Sequence, residues 1–411
     1  MNVARAPVWV VGTFDTKAAE IEYLAGLLRA AGLEALTVDG ATREPGAAAD
    51  VGAREVAAHH PRGEAAVFDA GDRGPAVIAM SEALCELVRR QLAQGAHGGI
   101  AAMLAVGGSG GTSLIAPAMR LLPIGRPKML VSTMAAGDVR AFVDVVDMTL
   151  MYPVTDIAGL NRLSRTILAN AAHAVVGMVR HQVPAVADDK PSIGLSMFGV
   201  TTPCVMAVRQ RLEDVFDAQV FHANGSGGRT LEALAAAGML RAVVDITTTE
   251  VGQNLAGGVC DAGPDRLAAA ARHHLPWIGS LGALDMINWG AMDTVPTRHQ
   301  GRRFHVHNAQ VTLMRSSPEE AAAAGRRIAE RLGESAGPVR LLIPEGGVSM
   351  LDAPGQPFHD PEADAALFDA VERHWVARDN HQLIRLPLHI NDPAFADAVA
   401  RTVREVMGVA G

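Results

Sequence analysis

A chain of 411 residues exceeds what one hydrophobic core serves, and 49% apolar with 19% charged residues points to two or three globular domains with large buried sheets. The formal charge of −8, no run of Lys and Arg, and only 4% aromatics argue against a nucleic-acid partner. Cys85, Cys204 and Cys260 are too scattered for a zinc ribbon or a disulfide framework, and the most apolar stretch, residues 98–108, is too short to span a bilayer.

Pro7–Val11 reads as a buried strand almost at the N-terminus, which leaves no room for a signal peptide and predicts a cytoplasmic protein. Lys17–Ala31 reads as an amphipathic helix with Ile21, Leu24, Leu27 and Leu28 on one face, and Leu33–Val38 as the next strand. Residues 40–76 break this rhythm as an excursion with one short helix, Val51–His60. Helix Ala76–Gln94, strand Gly99–Val106, a glycine turn, helix Ser113–Leu121 and strand Lys128–Ser132 restore it. Strand Met148–Tyr152 and helix Asn161–His181 complete an N-terminal domain, 1–183. Alternating strands and helices require a parallel sheet covered on both faces, so this is a doubly wound α/β domain.

Two prolines and three consecutive charges mark 184–191 as a linker. A second α/β domain, 192–411, follows, with strands Ser192–Phe198, Ala218–Ala223, Ala242–Thr247, Trp277–Leu281, Arg303–His307, Val339–Ile343 and Gln382–Pro387. Its helices are expected at Pro203–Val215, Thr230–Ala237, Pro318–Leu332, Asp364–Ala377 and Ala394–Met407. Both halves contain a Gly-Ser-Gly-Gly turn leading into a helix, an echo that two domains of one architecture, facing each other across a cleft, would explain.

Open α/β sheets bind ligands beyond the carboxyl ends of their strands. The turns there are Gly107-Gly108-Ser109-Gly110-Gly111-Thr112 and Gly225-Ser226-Gly227-Gly228, whose consecutive N–H groups at a helix start can converge on an anion such as a nucleotide phosphate. Neither is a Walker motif, since the Lys is absent, and the first departs from G-x-G-x-x-G at Ser113. Gly12, Thr13, Asp15 and Lys17 leave the first strand and join the cofactor-binding set, with Lys17, Arg73 and Arg229 as candidate cations. Asp15 is the candidate Mg²⁺ ligand, because Mg²⁺ takes one or two carboxylates plus phosphate oxygens; capping a helix is its alternative role. Glu345 follows a buried strand and precedes two glycines, which suits a general acid or base, and Ser349 and Glu250 are further catalytic candidates.

The run from Gly107 to Leu114, the opening Gly12-Thr13-Phe14-Asp15-Thr16-Lys17 and Asp156-Ile157-Ala158-Gly159-Leu160-Asn161 resemble the Tm-one-like ATP-binding family. Gly257-Gly258-Val259, Gly282-Ala283-Leu284-Asp285-Met286 and Glu345-Gly346-Gly347-Val348-Ser349 extend the resemblance over nearly the whole chain. It implies two Rossmann-like domains, ATP binding and a homodimer. The resulting expectation is an enzyme using ATP–Mg²⁺ on a small molecule. An ATP-gated regulatory or interaction protein without turnover is one alternative, and a lyase or hydrolase acting on a phosphorylated or acidic small molecule is another.

Overall fold

The computed structural model describes residues 6–43, 49–94, 99–181, 183 and 189–409. The chain divides into two compact units, Met1–Ala185 and Val186–Gly411, each an α/β unit of Rossmann-like type. Most of the expected linker, residues 184–188, lies outside the described residues.

The N-terminal unit runs β1 (Val8–Gly12), α1 (Phe14–Ala30), β2 (Ala35–Asp39), α2 (Ala53–Ala57), α3 (Ala65–Phe68), α4 (Arg73–Ala93), β3 (Ala102–Gly107), α5 (Ser109–Arg120), β4 (Lys128–Ser132), α6 (Arg140–Val143), β5 (Thr149–Met151) and α7 (Arg162–Arg180). The five strands are parallel in the order β2-β1-β3-β4-β5. Strand β1 is buried throughout. Its alternate side chains serve opposite cores: Val8 and Val10 pack under α1 and α7, whereas Trp9 and Val11 pack under α4 and α5. That two-sided burial is why it reads as a continuous apolar run rather than an alternating one.

The C-terminal unit runs β6 (Ser192–Met197), α8 (Thr202–Leu212), β7 (Asp217–His222), α9 (Ser226–Ala236), β8 (Ala242–Asp245), α10 (Thr249–Ala256), α11 (Ala268–Arg272), β9 (Trp277–Ser280), β10 (Met286–Trp289), β11 (Phe304–Asn308), β12 (Val311–Arg315), α12 (Pro318–Gly333), β13 (Val339–Pro344), α13 (Pro361–His374), β14 (His381–Leu386) and α14 (Pro393–Met407). Its parallel sheet has the order β14-β13-β9-β8-β6-β7. Counted within the unit, the second strand lies at the edge beside the first, and the third follows on the other side, as in the N-terminal unit. A three-stranded antiparallel sheet, β10-β12-β11, is inserted between β9 and β13.

Several elements depart from the sequence expectations. Helices α5 and α9 begin at Ser109 and Ser226, four residues before the expected starts, so the glycines form their first turns. Low helix propensity makes glycine read as loop, but propensity is a weak prior that tertiary packing overrides. Thr249–Ala256 forms α10, a helix absent from those expected. Strands β10 and β12 had no counterpart in the expected order, because an antiparallel insertion interrupts the strand–helix rhythm on which that order rests. The three cysteines are free and buried, and burial pushes the Cys204 thiol up to about 12. Among the described residues no helix is long and apolar enough to cross a membrane.

Candidate functional site

The strand order of the N-terminal unit reverses between β1 and β3, and open α/β sheets bind ligands beyond the carboxyl ends of the strands at such a reversal. A cavity of about 270 Å³ lies there. Thr13, Asp15, Thr16 and Lys17 line it from β1, Gly40, Thr42 and Arg43 from β2, and Gly108–Gly111 from β3. Arg73 and Val77, in the first turns of α4, and Leu114 of α5 complete the described wall.

Three helices, α1, α4 and α5, thus begin at the cavity, and none is capped by the side chain of its own N-cap residue. Asn161, Ser317, Asp360 and Asp392 each accept from a first-turn amide of α7, α12, α13 and α14, whereas α2, α3, α6, α8, α9, α10 and α11 lack a side-chain cap as the cavity helices do. Uncapped first-turn N–H groups lack intrahelical acceptors, and each helix start carries roughly half a positive charge. Lys17, Arg43 and Arg73 add full charges, and Asp15 is the one acidic residue on the described wall. The Lys17 ammonium donates to the Ile157 carbonyl at 2.6 Å, at a point where α1 departs from helical geometry, and two of its three donors remain.

Most glycines of the first turn have no packing reason to be glycine. A Cβ on Gly108 or Gly111 would meet nothing closer than 3.9 Å, and one on Gly110 only the Arg73 guanidinium at 3.4 Å. None of the three has a positive φ. Gly110 and Gly111, within α5, each forgo up to about 1 kcal/mol of helix stability relative to Ala, while Gly108 is the N-cap, where glycine is favoured over Ala, and what they leave is open space above the amides. Gly107 and Gly12 differ: a Cβ on Gly107 would press on the backbone of Gly111 and Thr112, and one on Gly12 on Ile21, so both serve close helix–strand packing. Thr112 is fully buried, and its hydroxyl is 2.6 Å from that of Ser132, turned away from the cavity.

Asp39, at the end of β2, positions this wall from behind. Its Oδ1 accepts from the amides of Phe14 at 2.9 Å and Ala41 at 2.8 Å, tying the β1 and β2 exit loops together. Its Oδ2 is buried without a partner among the described residues, and burial, offset by the two amides, holds its carboxyl above the usual range. Gly40, Thr42 and Arg43 were missed in the sequence because residues 40–76 read as an excursion, and Asp39 because the expected strand stopped one residue short of it, at Val38. Their signal was available, since they leave a parallel strand next to β1.

The second glycine turn has the opposite physics. Gly225 adopts a φ of +95°, and a Cβ on Gly227 or Gly228 would overlap the His222 carbonyl or the Glu250 carboxylate. The amides of Gly225 and Gly228 already donate to Glu250 Oε1, at 2.7 and 3.0 Å. The other oxygen of Glu250 accepts from Arg266 at 2.8 Å, and Arg266 also grips Asp245 with two bonds of 2.6 and 2.7 Å. The anion held by Gly225-Ser226-Gly227-Gly228 is therefore the chain's own Glu250. The turn follows β7, the edge strand of its sheet, whereas the first follows the central β3. The sequence echo joins topologically different places.

Glu345 forms an exposed ion pair with Arg385 at 2.7 Å, and Arg385 also binds Glu372. Ser349 is buried and donates to Asp285 at 2.7 Å. Asp285, Asp352 and Asp364 gather around one Arg315, and Oδ1 of both Asp285 and Asp352 lacks a hydrogen-bond partner among the described residues. Burial, with the repulsion of Asp352, pushes Asp285 up to about 7 and Asp364 up to about 8. Folded protein then retains protons that the unfolded chain releases near the ordinary value of 3.8. The stability from these groups is full in acid and falls as pH rises toward 7–8, by up to ~1.4 kcal/mol per pH unit for each proton. Asp285→Asn is expected to flatten that fall in urea titrations between pH 5 and 8; an identical pH dependence in the variant refutes this. His305 lies edge-on to Phe358, and no group of three metal-ligating side chains occurs among the described residues.

Comparison with known proteins covers nearly the whole chain. The model for the uncharacterised protein family (UPF0261) N-terminal domain matches residues 6–184, and that for the C-terminal domain matches residues 190–407. UPF0261 proteins of Mesorhizobium japonicum and Rhizobium meliloti are each 51% identical, over 96–97% of this chain and 97–98% of their own lengths. The tomato (Solanum lycopersicum) ToMV resistance protein Tm-1 is 37% identical over 97% of this chain, which spans 55% of that protein.

Proposed function

The chain belongs to the uncharacterised protein family UPF0261, whose description assigns no activity, and from that premise we propose that its N-terminal cavity binds the phosphate chain of ATP with Mg²⁺. The observation that carries this reading is the convergence of three helix starts, Lys17, Arg43 and Arg73 on glycines that packing does not require. Arg73 places like charge against the start of α5 and has no carboxylate partner among the described residues. Such an arrangement is unfavourable until an anion neutralises it. ATP is the anion implied by the family resemblance. Asp15 is exposed and has no carboxylate companion on the described wall, so it suits a Mg²⁺ that takes its other ligands from phosphate and water.

Turnover of ATP and binding without turnover are the two readings of this site, and the described wall offers Asp15 and Lys17 as its proton-transfer groups. The described wall holds no Glu, His or Cys, and Glu250, Ser349 and Glu345 are engaged in the C-terminal unit. Steady-state phosphate release, with and without a panel of small acids, separates the two readings.

Arg73→Ala tests the site itself. Removing one charge-assisted contact worth about 1.5–3 kcal/mol lowers ATP–Mg²⁺ affinity roughly 10–100-fold. The melting temperature stays put, because Arg73 is exposed. Unchanged affinity by calorimetry refutes the assignment.

A further inference from the structure

We propose that the N-terminal cavity recognises a di- or triphosphate chain and is indifferent to the base attached to it. This rests on the phosphate reading of the same cavity. A pocket that engulfs a drug-sized ligand measures about 300–1,000 Å³, and this one measures about 270 Å³, room for part of a nucleotide. Apart from Val77 and Leu114, its described wall is glycine, hydroxyl or charge. Reading a base takes an aromatic or apolar platform for its face, or amide side chains for its edge. The described wall has no aromatic ring, no Asn and no Gln.

The cations suit more than one phosphate. Lys17 follows β1, while Arg73 lies over Gly110 of α5, so positive charge reaches the cavity from opposite sides of the strand reversal. A single phosphate on the α5 amides leaves part of that charge unmatched. The remainder of the unit offers one exposed aromatic platform. Among the described Phe, Tyr and Trp residues, Tyr152 is the exposed one, at 45%, and the others are buried or half-buried. It follows β5, two strands from β3, roughly 10 Å away at the usual strand spacing. Base indifference requires that Tyr152 not hold the base.

Calorimetry on the full chain with Mg²⁺ tests this with ATP, GTP, UTP, inorganic tripolyphosphate and adenosine. The three nucleotides and tripolyphosphate are expected to bind within about tenfold of one another, with adenosine silent. Tyr152→Ala is expected to leave ATP affinity unchanged, and Arg73→Ala to weaken ATP and tripolyphosphate by the same factor. GTP and UTP weaker than ATP by about 100-fold or more, competition by adenosine, or loss of ATP binding in Tyr152→Ala overturns base indifference and leaves the phosphate reading standing. Silence from all five ligands overturns both.

Discussion

Replacing Glu250 with alanine is expected to destabilise the C-terminal unit by about 3–5 kcal/mol, the cost of leaving a buried charge unpaired. Glu250 and Asp245 are fully buried, and Arg266 nearly so. Burial alone would drive the guanidinium toward neutrality, but Asp245, Glu250 and Glu232 hold it firmly charged. Truncation strips Arg266 of one partner and leaves the amides of Gly225 and Gly228 without an acceptor in a region closed to water. A domain's whole stability is about 5–15 kcal/mol, so the loss is a large fraction of it. Tryptophan fluorescence in urea can follow it, since Trp277, Trp289 and Trp375 lie in this unit and Trp277 donates to Asp245 at 3.3 Å. ATP–Mg²⁺ affinity in the folded variant is expected to match wild type, because the proposed site lies in the other unit. A midpoint shift worth less than about 1 kcal/mol would mean that the network is not what holds this unit together.

Gly110→Val is expected to abolish ATP–Mg²⁺ binding, by at least about 100-fold in affinity, while the protein stays folded. The valine methyls would occupy the open space above the α5 amides, next to the Arg73 guanidinium. The backbone has no reason to object, since Gly110 has no positive φ and its Cβ site is clear of backbone and core atoms. Gly227→Ala is the matched control from the other turn. Its Cβ would overlap the His222 carbonyl, so it is expected to cost about 1–3 kcal/mol in overpacking with ATP binding intact. Calorimetry and thermal melts on both variants decide the matter. Wild-type ATP affinity in a folded Gly110→Val protein would remove the first glycine turn from the site.

The sequence alone carried the architecture, because both sheets are made of short apolar runs alternating with amphipathic helices, and that pattern survives at any register. Strand β4 matches its expected bounds, and strand β1 and helices α7 and α14 lie within one residue of theirs, since caps such as Asn161 and Asp392 are written locally. The β1 and β3 exits were legible as candidate ligand loops for the same reason: in parallel sheets ligands bind beyond the carboxyl ends of the strands. What the sequence could not separate was the two Gly-Ser-Gly-Gly turns. Gly108, Gly110 and Gly111 face open space, whereas Gly225, Gly227 and Gly228 are forced by a positive φ, a carbonyl and the carboxylate of Glu250. The reason is range. A glycine turn is written in six adjacent residues, but its occupant is decided by groups 22 to 37 positions away, Glu250 in one unit and Arg73 in the other. Local pattern specified where backbone N–H groups would be bared, and only tertiary packing decided which set the chain satisfies itself and which it leaves open.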